Sequence, residues 1–277
     1  MIMISSKDYF GVDASELKSK KLFLFDMDGT IYEEDVLFDG TIELLNQIVR
    51  DGGIYVFITN NSSKSVSDYI AKVNKLGIVA DKENFFTSVQ ATVLLLKEKH
   101  PNKVVYCQGT KSLVNELVES GISVVEEVSD AAEVILVGFD TELTSQKLRN
   151  TCEMLGKDIP YYATNPDLVC PVNFGYIPDC GSICCMLQNA TKRIPIYIGK
   201  PMPTMVDVVC QKFNVPKEET VIIGDRLYTD IATGNNAGVA SICVLTGEAT
   251  VQDICEGEVK PKYTFESVRK IFELLTG

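Results

Sequence analysis

The segment Leu22-Phe23-Leu24-Phe25-Asp26-Met27-Asp28-Gly29-Thr30 decides how the rest of the chain is interpreted. Its four apolar residues predict a strand buried on both faces, and two aspartates follow directly, two residues apart. Ligands of open α/β sheets bind beyond the carboxyl ends of the strands, so Asp26 and Asp28 are predicted to face such a crevice. The alternative is an ordinary turn, because Asp, Gly and Thr are common turn residues.

A second strand end has similar polar chemistry. The apolar run Ile54–Ile58 leads into Thr59, Asn60 and Asn61. A loop of this kind, followed by a helix, can offer a hydroxyl group and backbone N–H groups to a phosphate. The alternative is a capping loop for the helix that begins near Ser65.

Two more strand ends complete the pattern. The run 196–198 precedes Lys200, which lies between a glycine and a proline, and the run 221–224 precedes Asp225, with Asp230 five residues later. Each residue could be a solvated loop residue by itself. Four strand ends that carry Asp-x-Asp, Thr, Lys and Asp…Asp in this order indicate one functional site instead.

Electrostatics links these residues to a metal ion. If the strands are neighbours, Asp26, Asp28, Asp225 and Asp230 share one cleft, and like charges at such distances are costly. A divalent cation relieves that cost, and ligation by oxygen alone next to a phosphate favours Mg²⁺. Lys200 then supplies a point charge for the phosphoryl oxygens.

These four ordered motifs resemble those of the haloacid dehalogenase superfamily, from about Lys21 onward. The Asp-x-Asp-Gly-Thr start, Thr-Asn-Asn-Ser, Gly-Lys-Pro and Gly-Asp-Arg-Leu-x-Thr-Asp-Ile are similar to its NagD-like, 4-nitrophenylphosphatase-like branch. The resemblance implies an α/β fold, with a Rossmann-like parallel sheet as the core and a smaller inserted α/β cap domain of the class IIA type.

The resemblance also implies roles for the strand-end residues. Asp26 would be the nucleophile that forms an aspartyl-phosphate, and Asp28 would act as general acid and then general base. An alkoxide leaves poorly without an acid, whereas a halide leaves without one, so Asp28 favours phosphate transfer over dehalogenation. The residues implied to hold the phosphoryl oxygens are Thr59, Asn60, Asn61 and Lys200.

For the metal, the same resemblance implies ligation of Mg²⁺ by the Asp26 carboxylate, the Asp28 backbone carbonyl and the Asp225 carboxylate. Asp230 would orient Lys200 or a metal-bound water.

Spacing locates the inserted domain. The chain alternates apolar strands with amphipathic helices, as parallel sheets covered by helices do. Thr59 and Lys200 are 141 residues apart, far more than one helical crossover requires. The predicted division is a core of 1–86 and 191–277 with a cap at 87–190. The predicted strands are 22–25, 54–58, 104–106, 134–137, 196–198, 221–223 and 241–245.

Within the predicted cap, Ala163-Thr164-Asn165-Pro166-Asp167 resembles a Thr-Asn-x-Asp loop that faces the active site in this branch. Asn165 and Asp167 are therefore candidates for contacts with the leaving group. The alternative is an Asx-turn before a strand. His100, the only histidine of the chain, precedes a proline at a predicted helix end and is expected to be a solvated cap residue.

The composition limits the kinds of partner, metal site and compartment that are expected. A formal net charge of −12 argues against a nucleic acid polymer as a partner, since such binding relies on clustered Lys and Arg. Nine cysteines without a Cys-x-x-Cys pair favour reduced, packed thiols over a zinc site. The N-terminal ten residues are too weakly apolar for a signal peptide, and no run is long enough to cross a membrane. A cytoplasmic protein is expected.

The function predicted from these observations is Mg²⁺-dependent hydrolysis of small phosphate monoesters. The resemblance favours nucleoside monophosphates or sugar phosphates as substrates, with generic activity on 4-nitrophenyl phosphate. One alternative is a phosphotransferase that uses the same intermediate, and another is a catalytically silent protein that binds a phosphorylated metabolite. Because homodimers form through the cap in this branch, a cap-mediated homodimer is a further expectation.

Overall fold

The computed structural model describes residues 6–172 and 174–277. The first five residues of the N-terminal segment discussed above, and Asn173, lie outside the described residues. The chain divides into two compact units. We call them the core unit (residues up to Ile58, Ile70–Phe86 and Lys200–Gly277) and the cap unit (Thr59–Tyr69 and Thr87–Gly199). None of the helices within the described ranges is long and apolar enough to cross a membrane.

The strands are short and alternate with helices for most of the chain. In chain order they are β1 (Leu22–Phe25), β2 (Tyr32–Glu33), β3 (Val36–Leu37), β4 (Ile54–Thr59), β5 (Phe85–Thr87), β6 (Val104–Gln108), β7 (Ser123–Val125), β8 (Val134–Val137), β9 (Tyr161–Ala163), β10 (Val169–Val172), β11 (Gly175–Pro178), β12 (Ile196–Tyr197), β13 (Thr220–Gly224), β14 (Ala240–Val244) and β15 (Tyr263–Phe265). All seven strands predicted from the sequence are present.

The α-helices connect these strands. They are α1 (Thr41–Arg50), α2 (Val66–Lys75), α3 (Ser88–Lys99), α4 (Lys111–Glu119), α5 (Ser145–Leu155), α6 (Cys180–Thr191), α7 (Thr204–Phe213), α8 (Ala232–Ala237), α9 (Val251–Glu256) and α10 (Val268–Thr276).

The core unit is built on a six-stranded sheet with the order β15-β14-β13-β1-β4-β5. The strand β1 pairs in parallel with β13 on one side and with β4 on the other. All four of its residues are buried, as expected for a central strand covered on both faces. Because Phe25 pairs with Ile223, the residues that follow β1 and β13 emerge side by side at the carboxyl edge of the sheet. The predicted parallel α/β core is confirmed.

The cap unit has its own five-stranded parallel sheet, with the order β12-β9-β8-β6-β7. The presence of β12 in this sheet corrects the sequence interpretation, in which the strand before Lys200 belonged to the core segment 191–277. Ile196 and Tyr197 instead pair with Tyr162 and Ala163 of β9. Lys200 therefore does not follow a strand of the core sheet.

The two units differ at two places from the division predicted from the sequence. Residues 191–199 cluster with the cap unit, because β12 extends the cap sheet. Residues 59–69, which begin with the last residue of β4, also cluster with the cap unit.

Ser62 shows why the second segment joins the cap. Its hydroxyl accepts a hydrogen bond from the backbone N–H of Phe139 at 2.9 Å and bonds to the Thr164 hydroxyl at 2.8 Å. Phe139 comes two residues after β8, and Thr164 directly follows β9, so both partners lie at strand ends of the cap sheet. The Thr110 hydroxyl, at the start of α4, also donates to the carbonyl of Ser63.

His100 is the C-cap of α3, as its position before a proline predicts. Its ring nitrogen Nε2 also lies 2.8 Å from the hydroxyl of Tyr162, so the side chain is half-buried and bonded within the cap unit. Burial, together with the charges of Lys99 and Lys103, lowers the pKa of His100. The expectation of a merely solvated side chain is corrected.

Arg193 stabilises the chain after α5 in the cap unit. Its guanidinium group donates to the backbone carbonyls of Leu155, Lys157 and Ile159, at 3.3, 2.7 and 2.7 Å. Carbonyls at the end of a helix have no partner within the helix, so the arginine supplies hydrogen-bond donors that the backbone lacks there. The contact also ties the segment between α6 and β12 to the chain between α5 and β9.

We therefore expect Arg193→Met to lower the free energy of unfolding of the cap unit by about 1 to 3 kcal/mol, since three carbonyls lose a charged donor. Urea denaturation followed by circular dichroism measures the change. Arg149→Met is the matched control, because Arg149 is exposed on α5. Equal stability of the two variants would contradict the assignment.

Candidate active site

Asp26 is held at the carboxyl edge of the core sheet. Its backbone N–H donates to the carbonyl of Ile223 at 2.8 Å, which extends the β1–β13 pairing by one residue. The side chain is 15% exposed. Burial raises the pKa of Asp26, Lys200 opposes this shift, and the neighbouring Asp230 and Asp225 add to it.

Lys200 joins the carboxylates of the site. Its ammonium group lies 2.5 Å from Asp26 Oδ1 and 2.5 Å from Asp230 Oδ1, and it donates to the carbonyl of Ile58 at 3.3 Å. Burial acts to lower the pKa of Lys200, but the charges of Asp230 and Asp26 outweigh it and the pKa is raised. Lys200 is therefore a fixed positive charge next to Asp26.

Asp225 directly follows β13 and is surrounded by backbone. Its Oδ2 accepts from the backbone N–H of Glu248 at 2.8 Å. Gly29 and Gly247 pack so closely on the carboxylate that a Cβ atom at either position would overlap it. Burial, and next the charge of Asp230, raise the pKa of Asp225 to about 6. The carboxylate is thus held in one position at a cost that a cation would relieve.

The residues present fit a magnesium ion. Asp26, Asp225 and Asp230 each offer a carboxylate oxygen, and these oxygens lie within 4.8 Å of one another. Asp230, in a π-helical turn that precedes α8, already accepts from Lys200 and from the backbone N–H of Arg226. Asp26 and Asp225 are therefore the carboxylates best placed for a hard cation that prefers oxygen ligands.

Asp28 lies apart from this group. The sequence predicts four carboxylates in one cleft, but the structure brings three together and leaves the Asp28 carboxylate outside them. Its side chain is 44% exposed, with Oδ1 3.6 Å from the ammonium group of Lys72. Oδ2 accepts from the hydroxyl of Tyr32 at 3.4 Å.

Sequence reasoning missed Arg226 and Glu248. The Nε atom of Arg226 lies 3.0 Å from Glu248 Oε2, which also accepts from the Tyr228 hydroxyl. Burial acts to lower the pKa of Arg226, but Asp26 and the other nearby acidic groups raise it. The pair fixes the segment whose backbone holds Asp225. Arg226 could have been noticed next to Asp225, whereas Glu248 carries no signal in the sequence.

The other predicted residues belong to the cap unit. Thr59 Oγ1 accepts from the backbone N–H of Asn61 at 3.2 Å, and Asn61 Oδ1 accepts from the backbone N–H of Ser63 at 2.9 Å. Asn60 is buried, and its carbonyl accepts from the Ser88 hydroxyl. These contacts form a compact loop after β4.

Asn165 and Asp167 are both buried in one polar network of the cap unit. The amide group of Asn165 donates to Asp167 Oδ2 at 3.2 Å and to Asp179 Oδ1 at 2.9 Å. Its carbonyl oxygen accepts from the Thr164 hydroxyl. Asn165 is therefore used to hold the loop, while Asp179 is the N-cap of α6.

Comparison with known proteins identifies the family. The sequence model of the haloacid dehalogenase-like hydrolases matches residues 23–123, and a second model of HAD-hydrolase-like proteins matches residues 197–271. An acid sugar phosphatase of Staphylococcus saprophyticus is 29% identical over 94% of this chain and 99% of that protein.

Solved structures similar to this chain point to the same family. A 4-nitrophenylphosphatase from Thermotoga maritima is 37% identical, with a TM-score of 0.90 over 94% of this chain and 99% of its own. A glycerol phosphate phosphatase from Mycobacterium tuberculosis, solved in complex with magnesium, is 28% identical, with a TM-score of 0.87 over 92% of this chain and 77% of its own. The chain therefore belongs to the haloacid dehalogenase-like hydrolases, and within them it is a phosphatase of the NagD-like, 4-nitrophenylphosphatase-like branch.

Proposed function

We propose that the chain is a Mg²⁺-dependent phosphatase that hydrolyses small phosphate monoesters, sugar and polyol phosphates above all, through an aspartyl-phosphate on Asp26. The observation that carries this proposal is the contact of Lys200 with both Asp26 and Asp230, beside Asp225. The acid sugar phosphatase and the glycerol phosphate phosphatase among the relatives support the substrate class. None of the three relatives described above is named for nucleoside monophosphates, the other predicted class.

The proposed reaction has two displacements at phosphorus. In the first, a carboxylate oxygen of Asp26 bonds to phosphorus, the ester P–O bond breaks, and the proton of Asp28 moves to the departing oxygen, so an alcohol leaves. In the second, a water oxygen bonds to phosphorus while Asp28 takes its proton. The bond between Asp26 and phosphorus then breaks, which releases phosphate and restores both aspartates.

The remaining residues are proposed to bind the phosphoryl oxygens and the magnesium ion. Lys200 is proposed to bind phosphoryl oxygens while it keeps Asp26 in position, and Asp230 fixes the lysine. Thr59, Asn60 and Asn61 are proposed to bind phosphoryl oxygens as the resemblance implies. Asp26, Asp225 and the Asp28 backbone carbonyl would hold Mg²⁺, which supplies electrostatic stabilisation of the phosphoryl charge.

We expect Asp26→Asn to reduce hydrolysis of 4-nitrophenyl phosphate and of sugar phosphates by on the order of 10³-fold or more, because the amide cannot form the acyl phosphate with the phosphoryl group. Release of phosphate in the presence of Mg²⁺ measures the loss, and circular dichroism checks the fold. Normal turnover by this variant would rule out the proposed nucleophile.

Asp225→Asn tests the metal site. With the carboxylate removed, we expect Mg²⁺ to cause little or none of the rise in melting temperature that it gives the unchanged protein. Activity should fall in parallel. Asp207→Asn is the control, since Asp207 lies on α7 and pairs with Lys217 at the surface. An undiminished Mg²⁺ effect in Asp225→Asn would contradict the assignment of this ligand.

Asp167 is proposed to contact the leaving group, and Asn165 is proposed to hold Asp167 in position. Asp167→Ala should shift the ratio of kcat/KM between different sugar phosphates by about tenfold, chiefly through KM. A panel of sugar phosphates measures the ratios, and Asp158→Ala is the control because Asp158 is exposed in the same unit. Unchanged ratios on every ester would favour a purely structural Asx-turn.

A further inference from the structure

Lys72 of α2 contacts the carboxylate of Asp28, the proposed acid and base. Its ammonium group lies 3.6 Å from Asp28 Oδ1. The same group lies 3.8 Å from the centroid of the Tyr32 ring. Tyr32 is fully buried, and its hydroxyl donates to Asp28 Oδ2 at 3.4 Å. Lys72 and Tyr32 thus approach both oxygens of one carboxylate.

Stability alone does not account for this arrangement. Asp28 is 44% exposed, and an ion pair with such a partner contributes little to folding because water screens it. Lys72 is 20% exposed, so its side chain is ordered against the tyrosine ring instead of moving freely in solvent. An ordered cation beside a reactive carboxylate limits the directions in which that carboxylate can point.

We propose that Lys72, supported by Tyr32, is a positioning residue for Asp28 in proton transfer to the leaving group. The inference rests on the proposed function. When Asp28 gives its proton to the ester oxygen, it becomes a carboxylate, and the ammonium group of Lys72 stabilises the negative charge that forms there. In this role Lys72 touches neither phosphorus nor the leaving oxygen.

This role predicts a dependence on the leaving group. An alkoxide must be protonated as it departs, whereas 4-nitrophenolate is a stable anion that needs little help. Loss of Lys72 should therefore damage hydrolysis of alkyl esters more than hydrolysis of 4-nitrophenyl phosphate. A residue that only supports the fold would affect both esters alike, and a residue that binds the phosphoryl group would raise KM for both.

The test compares kcat and KM for glucose 6-phosphate and 4-nitrophenyl phosphate, with Mg²⁺ present. For Lys72→Met we expect kcat/KM on the sugar phosphate to fall about tenfold or more, and kcat/KM on the nitrophenyl ester to change by less than about threefold, because kcat/KM covers only the steps up to formation of the aspartyl-phosphate. Lys72→Arg should restore most of the lost rate. Lys75→Met is the matched control, because Lys75 is exposed on the same helix, and it should behave as the unchanged protein.

Equal losses of kcat/KM on the two esters, or no change at all, would each overturn the proposal. If Lys72→Met does not fold, Tyr32→Phe removes only a hydroxyl and should show the same preference for the nitrophenyl ester on a smaller scale. Turnover by the unchanged protein, with Asp26→Asn as the blank, tests the proposed function separately. A failure of the Lys72 prediction is then not confused with the absence of phosphatase activity.

Discussion

The ammonium group of Lys200, placed between Asp26 and Asp230, is the interaction on which the site depends. Three carboxylates within 4.8 Å of one another repel strongly in a buried setting, and the lysine neutralises part of that charge. The three carboxylates also differ in what holds them. Asp230 is engaged by the lysine and by the Arg226 backbone, while Asp225 is held by the Glu248 backbone. The order of strands matters because it brings β1 beside β13, and hence Asp26 beside Asp225.

The sequence was most informative where strands are apolar and long enough to be recognised. Ile54–Thr59 and Thr220–Gly224 fall where their composition predicts, and the polar residues after them are those that the motifs indicate. It was least informative about which sheet a strand joins. Ile196–Tyr197 has only two residues, and its partners in β9 lie 34 residues earlier in the chain. Its composition suits either sheet.

Residues that act through a neighbour were missed for a different reason. A lysine in the middle of an amphipathic helix, such as Lys72, has the pattern of a solvated surface residue, and only the buried ring of Tyr32 distinguishes it. Glu248 works partly through its backbone N–H, which any residue except proline provides. Asn165 was found, but its use of every amide hydrogen for Asp167 and Asp179 could not be read from a motif.

If the five strands of the cap sheet are numbered along the chain from β6 as strand 1, they lie side by side in the order 5-4-3-1-2. The strand order therefore reverses between β6 and β8. Sheets of this kind commonly bind a free ligand at that position. Here the hydroxyl of Ser62 bonds to the Phe139 backbone just past β8. The Ser62 hydroxyl is in effect a ligand tethered to the same polypeptide. How often it occupies this position depends on the length of the tether and not on a concentration in the cell. A diffusible metabolite therefore competes poorly with the Ser62 hydroxyl for the backbone N–H of Phe139.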